Sequence, residues 1–495
     1  MLHIFQLEGY VLKPTFKWIF ANPSRLLLRP AFIVSVIASV IILFSGIGIL
    51  NAALGAGAAV FAWLTTMPLV SGENVKKKIA YTKRLQRLIG VLIAVWLVIT
   101  LLAFLTKFML VLLCVISPLL TLIAGWIMDP VEKGINRRFF EDAKRKLAAR
   151  DIIKIGITGS YGKTSTKFIL TQLLKEKYNV LTTPSSFNTP MGLTRVIREQ
   201  LKDEHEVFVA EMGARHVGDI KELCELVNPK YGLITKVGKQ HLETFFTLEN
   251  IINTKYELID ALPKDGMAFF ADDKDIVKGM YDRTGIAKRL SGFDESCDVW
   301  ASDINVSALG STFTICKGND SIKVSTKLLG RHNISNIMLC VSCALELGLT
   351  LEDVKNGLLK LEPVEHRLQL IPGANGLTVI DDAFNSNPEG AKAALDVIKN
   401  FNGRRVIITP GMVELGGEEN ALNEQFGMQM ASSVDTAILI GAKRTEPIYN
   451  GLIKGGFNKD NIIVAETLNE ATALIGKYAG RGDVVLFEND LPDNY

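Results

Sequence analysis

The 495-residue sequence has few cysteines, few prolines and almost no net charge. Six cysteines in so long a chain are too few for a disulfide framework. A formal net charge of +3, from 55 Lys and Arg against 52 Asp and Glu, excludes an overall basic nucleic-acid-binding protein. Sixteen prolines and 22% charged residues exclude a mostly disordered chain. The length corresponds to roughly three domains of about 150 residues each.

One stretch, residues 31–70, contains no Lys, Arg, Asp or Glu. As a single helix it would be about 60 Å long, twice a hydrocarbon core of roughly 30 Å. We therefore predict a hairpin of two membrane spans, about 31–50 and 52–70. A second apolar stretch, broken only by Lys107, predicts two more spans, about 88–106 and 108–128.

Basic clusters precede the first predicted span, fill the 71–87 loop and follow the last span. The positive-inside rule places all three on the cytoplasmic side. We therefore predict that residues 1–150 form a multi-pass anchor in the cytoplasmic membrane, in contact with lipid, with the catalytic domains in the cytoplasm. The basic clusters are explained by topology alone or by binding of an anionic or lipid-linked phosphate, and the sequence leaves both open.

The charge balance and the hydrophobic pattern of the sequence change after residue 150. Residues 1–150 contain 18 Lys and Arg and 6 Asp and Glu, a balance of +12, whereas the remainder contains 37 and 46, a balance of −9. Short β-branched runs then alternate with helical stretches, which favours parallel sheets covered by helices. Polar alternation over about 298–327 predicts a small antiparallel insertion, and the segment near Glu362–Glu365 is the predicted boundary between two α/β domains.

A glycine-containing turn leads from a predicted strand into a predicted helix at residues 158–165, Thr-Gly-Ser-Tyr-Gly-Lys-Thr-Ser. A phosphate needs free backbone N–H groups, glycines that let the chain approach, and a helix N-terminus. Gly159 and Gly162 supply the room, Lys163 the positive charge and Thr164 a hydroxyl for Mg²⁺. The segment therefore predicts nucleotide binding.

Three further residues are candidates for the same chemistry. Glu211 ends a predicted strand, at the sheet edge where ligands bind in open α/β folds, and a carboxylate there can hold Mg²⁺. His241 and Lys255 follow in the next two motifs. Taken singly, His241 and Lys255 are each explained better by a surface or structural role than by a catalytic one.

In this order and at these spacings the motifs resemble those of the Mur ligases, over about residues 151–490. The resemblance implies a P-loop ATPase-like central domain at 151–361 and a Rossmann-like C-terminal domain at 362–495. The apolar runs place an all-α membrane domain of four spans at 1–150, where the family usually has another N-terminal domain. The motifs that carry it are Thr158–Ser165, Glu211–Gly213, Thr235–Glu257, Gly330–Asn336, Arg367, Asp381–Pro388 and Pro410–Gly416.

The resemblance also implies an ATP-dependent amide ligase. A substrate carboxylate attacks the γ-phosphate of ATP, and an amine from an amino acid or dipeptide displaces phosphate from the acyl phosphate. The implied substrate is a cell-wall peptidoglycan precursor, in a UDP-linked or a lipid-linked form, and no nucleic acid takes part. Neither the amine nor the oligomeric state can be read from the sequence.

The resemblance assigns roles to individual residues. It implies catalytic roles for Lys163, Glu211, His241, Lys255 and Arg367. It implies ATP contacts from Gly159, Ser160, Gly162, Lys163, Thr164, Ser165, Asn333, Asn336, Arg367 and Asp382, with Asp381 as a second candidate for the ribose-side acid. It implies two Mg²⁺ ions bound by Thr164, Glu211, His241 and Lys255, with Lys255 carbamylated. Asn385 and Asn387 match substrate-side positions.

The sequence departs from the family pattern at three places besides the N-terminal domain. Thr235–Lys236 stands where an asparagine-containing turn is usual, and Phe384 replaces a tyrosine. The C-terminal end is acidic at Glu488 and Asp490, which would repel rather than bind a substrate carboxylate.

Other functions remain open at this stage. A ligase of the same core could act on a non-peptidoglycan carboxylate or a poly-amino acid. From different classes, a P-loop-driven membrane transporter or an ATP-binding scaffold could use the same nucleotide motif.

Overall fold

The computed structural model describes the chain except for residues 22–78, 104–106, 185–186, 385–386, 414 and 491–495. The chain folds into two compact units, one within Met1–Arg138 and one within Phe139–Leu491. The predicted spans 31–50 and 52–70, and the substrate-side candidate Asn385, lie outside the described residues.

The first unit is helical. Its helices are α1 (Leu2–Leu7), α2 (Leu12–Ala21), α3 (Lys83–Ala103) and the first part of α4 (Lys107–Ala148). Apolar side chains of all four helices form one buried cluster that includes Phe5, Ile19, Leu85 and Leu120. Arg87 of α3 donates two hydrogen bonds to the Glu132 carboxylate of α4, at 2.6 and 2.8 Å.

The prediction of a four-span membrane domain is wrong. Within the part of the chain that the structure describes, no helix combines the length and the apolarity needed to cross a membrane. The physical reason lies in the apolar residues on which the prediction depended. Leu88 and Leu92 of α3 and Leu122 of α4 are buried in the unit's own helix packing, and α4 continues into charged sequence at Asp129. The multi-pass location in the cytoplasmic membrane is wrong for the same reason.

The second unit contains two α/β domains, as predicted. Residues 139–148 of α4 belong to it, and Phe140, Ala143 and Leu147 are part of its core. The first domain contains β1 (Ile153–Thr158), α5 (Lys163–Leu174), β2 (Val180–Thr182), α6 (Pro190–Gln200), β3 (Val207–Glu211), α7 (Asp219–Val227), β4 (Tyr231–Ile234), α8 (Leu242–Phe245), α9 (Leu248–Asp260), β5 (Met267–Ala271), α10 (Ile276–Arg283), β6 (Ala287–Gly292), β7 (Val299–Ser307), β8 (Gly310–Lys317), β9 (Asp320–Thr326), α11 (Arg331–Glu346) and α12 (Leu351–Leu359).

A nine-stranded sheet organises this first domain, in the order β2-β3-β1-β4-β5-β6-β7-β8-β9. The strands from β2 to β7 pair in parallel, and β7, β8 and β9 pair antiparallel. The predicted antiparallel insertion is thus an extension of the main sheet. Fully buried strands such as β3 have apolar side chains on both faces because helices cover both.

The second domain contains β10 (Gln369–Pro372), β11 (Thr378–Phe384), α13 (Pro388–Ile398), β12 (Arg405–Thr409), α14 (Glu419–Met430), β13 (Thr436–Ile440), α15 (Ala442–Lys454), β14 (Ile462–Ala465), α16 (Leu468–Tyr478) and β15 (Val484–Asp490), with 3₁₀ turns at Ala374–Gly376, Gly416–Glu418 and Lys459–Asn461. Its sheet has the order β10-β11-β15-β12-β13-β14, and only β10 runs antiparallel to its neighbour. Helices on both faces bury this sheet as well.

Candidate active site

A cavity of about 1000 Å³ lies between the two α/β domains. Chain segments that follow the carboxyl ends of β1, β3, β4 and β5 line one side, and β11, α13 and β15 line the other. Ligands of open α/β sheets bind at this end of the strands. The predicted site residues among its lining are Ser160, Gly162, Lys163, Thr164, Ser165, Glu211, His241, Asn333, Asn336, Arg367, Asp382 and Asn387.

The turn after β1 has the backbone conformation that its glycines predict. Gly162 precedes α5 with φ +80°, in the left-handed region, and α5 has no side-chain cap at its N-terminus. A Cβ on Gly159 would lie 1.9 Å from the Thr235 Oγ1, so only glycine fits there. The N–H groups of the first helical turn have no intrahelical acceptor, and Lys163, Thr164 and Ser165 of this turn line the cavity.

The loop after β4 is hydrogen-bonded to this turn. The Lys236 carbonyl accepts from the backbone N–H groups of Ser160 (2.9 Å) and Tyr161 (3.1 Å). The Thr235 hydroxyl donates to the Tyr161 carbonyl (2.6 Å), and the Ser160 hydroxyl donates to the Gly238 carbonyl (2.9 Å). The backbone amides of Ser160 and Tyr161 are therefore both bound to this loop.

Glu211 is 1% exposed and is held through both carboxylate oxygens. Its Oε1 accepts from the Thr164 hydroxyl at 3.1 Å and from the Asn188 side-chain amide at 3.0 Å. Its Oε2 lies 3.1 Å from the Nζ of Lys167, a fully buried lysine. Thr164 and Glu211 therefore meet at the sheet edge, as the sequence predicts.

Lys163 is a partly buried lysine and Lys255 a buried lysine near the same edge. The Lys163 Nζ donates to the carbonyls of Gly159 (2.8 Å) and Ser160 (2.9 Å). Burial lowers the pKa of Lys163 to about 8, although the Glu211 carboxylate raises it. Lys255, on α9, is 2% exposed, and burial together with the Lys163 charge lowers its pKa well below the ordinary value.

His241 lines the cavity from the N-cap of α8, in a left-handed conformation with φ +52°. Lys255 and Gly159 are not among the residues that line the cavity.

Asn333 and Asn336 lie on the first turns of α11 and line the cavity. The Asn333 side-chain amide donates to the Leu329 carbonyl at 2.9 Å. A Cβ on Gly162 would lie 2.7 Å from the Asn336 Oδ1, so this asparagine is packed directly against residues 158–165, the turn predicted to bind phosphate and named the phosphate-binding turn below. Beside them, the Arg331 guanidinium lies 4.4 Å from the Phe293 ring centroid.

Arg367 and two carboxyl groups form the wall contributed by the second domain. Asp382 on β11 and Glu488 on β15 are register partners, and both line the cavity. Burial raises the pKa of Asp382 to about 6, and the Arg367 charge opposes this rise. Burial likewise lowers the pKa of Arg367, with Asp382, Glu211 and Glu488 opposing. The Asp382 carboxylate also accepts from the Leu368 backbone N–H at 3.1 Å.

Asp381 and Asn387, the other described candidates of the Asp381–Pro388 motif, differ in whether they line the cavity. The Asp381 carboxylate pairs with His366 at 2.7 Å and is not part of the cavity wall, whereas Asp382 is. Asn387 caps α13 by accepting from the Gly390 N–H at 2.9 Å, and it also lines the cavity.

Several residues at the site were not singled out from the sequence. Lys167 and Asn188 contact Glu211, and Glu389 of α13 pairs with Lys236 at 2.5 Å across the domains. A lysine four residues after Lys163 lies on a similar face of the helix, and this spacing is the one signal that could have identified Lys167. Asn188 and Glu389 have no local signal.

The donor set fits Mg²⁺ bound together with phosphate. No group of three or more His, Cys, Asp or Glu side chains that could hold a metal occurs within the described ranges. Mg²⁺, however, is usually bound by one or two carboxylates together with waters and substrate phosphates. The Thr164 hydroxyl and the Glu211 Oε1, 3.1 Å apart beside a phosphate-binding turn, match that pattern.

Two family models match the chain: the Mur ligase middle domain over residues 157–344 and the Mur ligase, glutamate ligase domain over residues 366–488. A UDP-N-acetylmuramoyl-tripeptide–D-alanyl-D-alanine ligase of Mycobacterium tuberculosis (strain CDC 1551 / Oshkosh) is 32% identical over 364 residues, which are 69% of this chain and 71% of the relative. The enzyme of the same name from Bacillus subtilis is 29% identical over 336 residues, 68% of this chain and 72% of the relative.

Two solved structures of MurF ligases are also similar to this chain. The crystal structure of the MurF ligase from Thermotoga maritima in complex with ADP has a TM-score of 0.65 and 27% sequence identity, and the match covers 72% of this chain and 80% of that one. A MurF structure from Acinetobacter baumannii, at 24% identity and a TM-score of 0.66, shares the fold.

Proposed function

The chain belongs to the Mur ligase family, whose members are ATP-dependent amide-forming ligases, and we propose that it joins an amine to a carboxylate of a peptidoglycan precursor. The observation that carries this proposal is one cavity that brings together Lys163, Thr164 and Glu211 from one domain and Arg367 from the other. The peptide carboxylate of a muramoyl-peptide is the proposed acyl donor, and an amino acid or dipeptide the proposed amine. We also propose the bounds 151–361 for the central domain and 362–495 for the C-terminal domain.

The proposed reaction has two steps. A carboxylate oxygen attacks the γ-phosphorus of ATP, the bond to the β-phosphate oxygen breaks, and ADP leaves. The amine nitrogen then attacks the acyl carbon, the acyl–oxygen bond breaks with loss of phosphate, and the nitrogen loses a proton. Charge on the transferring phosphoryl group must be neutralised, and Lys163 and Arg367, which line the cavity from opposite domains, would supply positive charge there.

ATP and Mg²⁺ are the proposed cofactors. Lys163, Thr164 and Ser165 would bind the phosphates, Asn333 and Asn336 the adenine side, and Asp382 the ribose side. Thr164 and Glu211 would hold one Mg²⁺ ion, and His241 with Lys255 a second. Bound Mg²⁺ supplies positive charge to the phosphate oxygens.

We propose that Lys255 is carbamylated, which would make it a carboxylate-like ligand. The residue is 2% exposed, and it takes part in none of the ion pairs found among the described residues. An unpaired buried ammonium is unfavourable, whereas a metal-bound carbamate is neutralised. Carbon-13 NMR after exchange with labelled CO₂ is expected to show one carbamate signal that Lys255→Met abolishes. Absence of the signal from the wild-type protein would contradict this assignment.

The proposed function is tested by product mass and isotope transfer. A muramoyl-tripeptide labelled with oxygen-18 in its terminal carboxylate is incubated with ATP, Mg²⁺ and D-alanyl-D-alanine or single amino acids. An acyl phosphate transfers one labelled oxygen to inorganic phosphate, and the amide product appears by mass spectrometry. Lys163→Met should reduce product formation by about 100-fold or more, since a charge on the transferring group is lost.

Lys175→Met is the matched control, because Lys175 is an exposed lysine at the end of the same helix. ATP hydrolysis that needs neither carboxylate nor amine and yields no amide would overturn the proposed function.

A further inference from the structure

We propose that Lys167 is a positioning residue, which holds the Glu211 carboxylate in the orientation that binds a divalent cation. The inference rests on the proposed function, because it assigns a cation to Glu211. It is carried by the contact between Lys167 of α5, which does not line the cavity, and Glu211 of β3, which does.

Two lysines on α5 point to different partners although they lie four residues apart. Lys163 reaches the carbonyls of Gly159 and Ser160 and lines the cavity. Lys167 has an exposed fraction of 0%, and its Nζ lies 3.1 Å from the Glu211 Oε2. A buried ammonium is costly unless a charge and hydrogen bonds compensate it, so this position is maintained against a desolvation penalty.

The two oxygens of Glu211 have separate partners. Oε2 faces the Lys167 ammonium, whereas Oε1 accepts from Thr164 and Asn188. The Lys167 ammonium therefore fixes Oε2 inside the protein and leaves Oε1 beside the Thr164 hydroxyl. That hydroxyl is the other proposed ligand of the cation. Second partners of this kind orient metal ligands, and their removal typically weakens metal binding by about 10- to 100-fold.

A purely structural role would be to attach α5 to β3. That role predicts a loss of stability, with unchanged cation affinity in the molecules that remain folded. A positioning role predicts weaker cation binding that depends on the presence of the Glu211 carboxylate. The two roles are separated by a double-mutant cycle between positions 167 and 211.

The experiment measures Mn²⁺ binding by electron paramagnetic resonance, with the full chain and saturating ADP. Lys167→Met is expected to raise the half-saturating Mn²⁺ concentration by about tenfold or more. ADP affinity measured in the presence of a chelator should stay within about twofold of wild type, because Lys167 does not line the cavity. The exposed Lys175→Met is the control and should bind Mn²⁺ as the wild type does.

The cycle is completed with Glu211→Gln and with the double variant. If Lys167 acts through Glu211, adding Lys167→Met to Glu211→Gln leaves Mn²⁺ affinity unchanged, and the urea midpoint of the double variant exceeds that of Lys167→Met. Equal Mn²⁺ affinity in Lys167→Met and wild type would overturn the inference, as would a further loss of Mn²⁺ affinity in the double variant.

Two outcomes of the same series have other meanings. Should Lys167→Met fail to fold, Lys167→Gln takes its place, since it keeps a donor but no charge, and the same criteria apply. Failure of the wild-type protein to bind ADP with Mn²⁺ would instead count against the proposed function, which is distinguishable from a null result confined to position 167.

Discussion

Gly162 leads the phosphate-binding turn into α5 with φ +80°, a conformation that costs other residues roughly 1–2 kcal/mol. A Cβ there would also lie 2.7 Å from the Asn336 Oδ1 and displace that side chain. We therefore expect Gly162→Ala to lower the free energy of unfolding by about 1–2 kcal/mol and to weaken ATP binding by about tenfold or more. Urea unfolding and calorimetric titration with ATP and Mg²⁺ measure the two effects.

Gly279→Ala provides the matched control for this substitution. Gly279 lies inside α10, and a Cβ there meets nothing within 4 Å. Alanine is favoured over glycine in a helix, so the control should be stabilised by up to about 1 kcal/mol with unchanged ATP affinity. Similar ATP affinity in Gly162→Ala and Gly279→Ala would contradict the role given to Gly162.

Asp382 gives a residue-level prediction about pH. Burial raises its pKa to about 6, with Arg367 opposing and with Glu488 and Asp381 as its acidic neighbours. The folded state therefore binds more protons than the unfolded state between about pH 4 and pH 6, and the contribution of Asp382 to stability falls as pH rises through that window. The urea midpoint of wild type minus that of Asp382→Asn should fall across this range. A flat or rising difference would contradict the assignment.

At the level of elements, the loop after β4 supports the phosphate-binding turn. The Thr235 hydroxyl donates to the Tyr161 carbonyl at 2.6 Å, and Lys236 accepts from two backbone amides of the turn. Thr235→Val keeps the shape of the side chain but leaves the carbonyl without that donor, which costs about 1–3 kcal/mol when the group is buried. We expect a lower urea midpoint and an ATP affinity reduced several-fold.

Thr472→Val is the control for Thr235→Val. The Thr472 hydroxyl donates to the Leu468 carbonyl on the exposed surface of α16, where water can replace it. Its loss should change neither ATP affinity nor the urea midpoint by a measurable amount. If Thr235→Val behaves like this control, the loop does not support the turn.

The elements show which features can be predicted from sequence. Residues 158–165 are predictable because strand, turn and helix N-terminus are contiguous and each has its own local signal. Glu211 is predictable because it ends a buried strand. Asn188 has no local signal, and Lys167 has only its spacing from Lys163, because their partner Glu211 is distant in sequence and only the pairing of β1 with β3 brings it near.

In the first unit, the sequence pattern led to a wrong prediction. Long apolar runs predict membrane spans, but burial between helices requires the same composition. Leu85, Leu88 and Leu120 belong to such a buried cluster. An apolar composition predicts that the side chains are removed from water. It does not predict whether lipid or another helix surrounds them.

At the scale of the whole molecule, the site is complete only when the two α/β domains lie together. Lys236 pairs with Glu389 and Lys239 with Glu418, so two lysines of one loop reach the second domain. The same loop binds the phosphate-binding turn through the Lys236 carbonyl. Domain docking and the shape of the turn are therefore connected through a single segment, and docking also brings Arg367 to the cavity.

The Lys239–Glu418 pair offers a test by charge reversal. Both side chains are almost half exposed, so the pair itself is worth at most about 1 kcal/mol and is screened by salt. Lys239→Glu places two like charges together and should lower ligase activity several-fold at low ionic strength, with the defect shrinking as salt is added. The swap Lys239→Glu with Glu418→Lys should recover most of the lost activity, because it restores the opposite charges across the domains. Activity in the swap no higher than in Lys239→Glu alone, or a defect that salt does not reduce, would show that the pair does not contribute to docking.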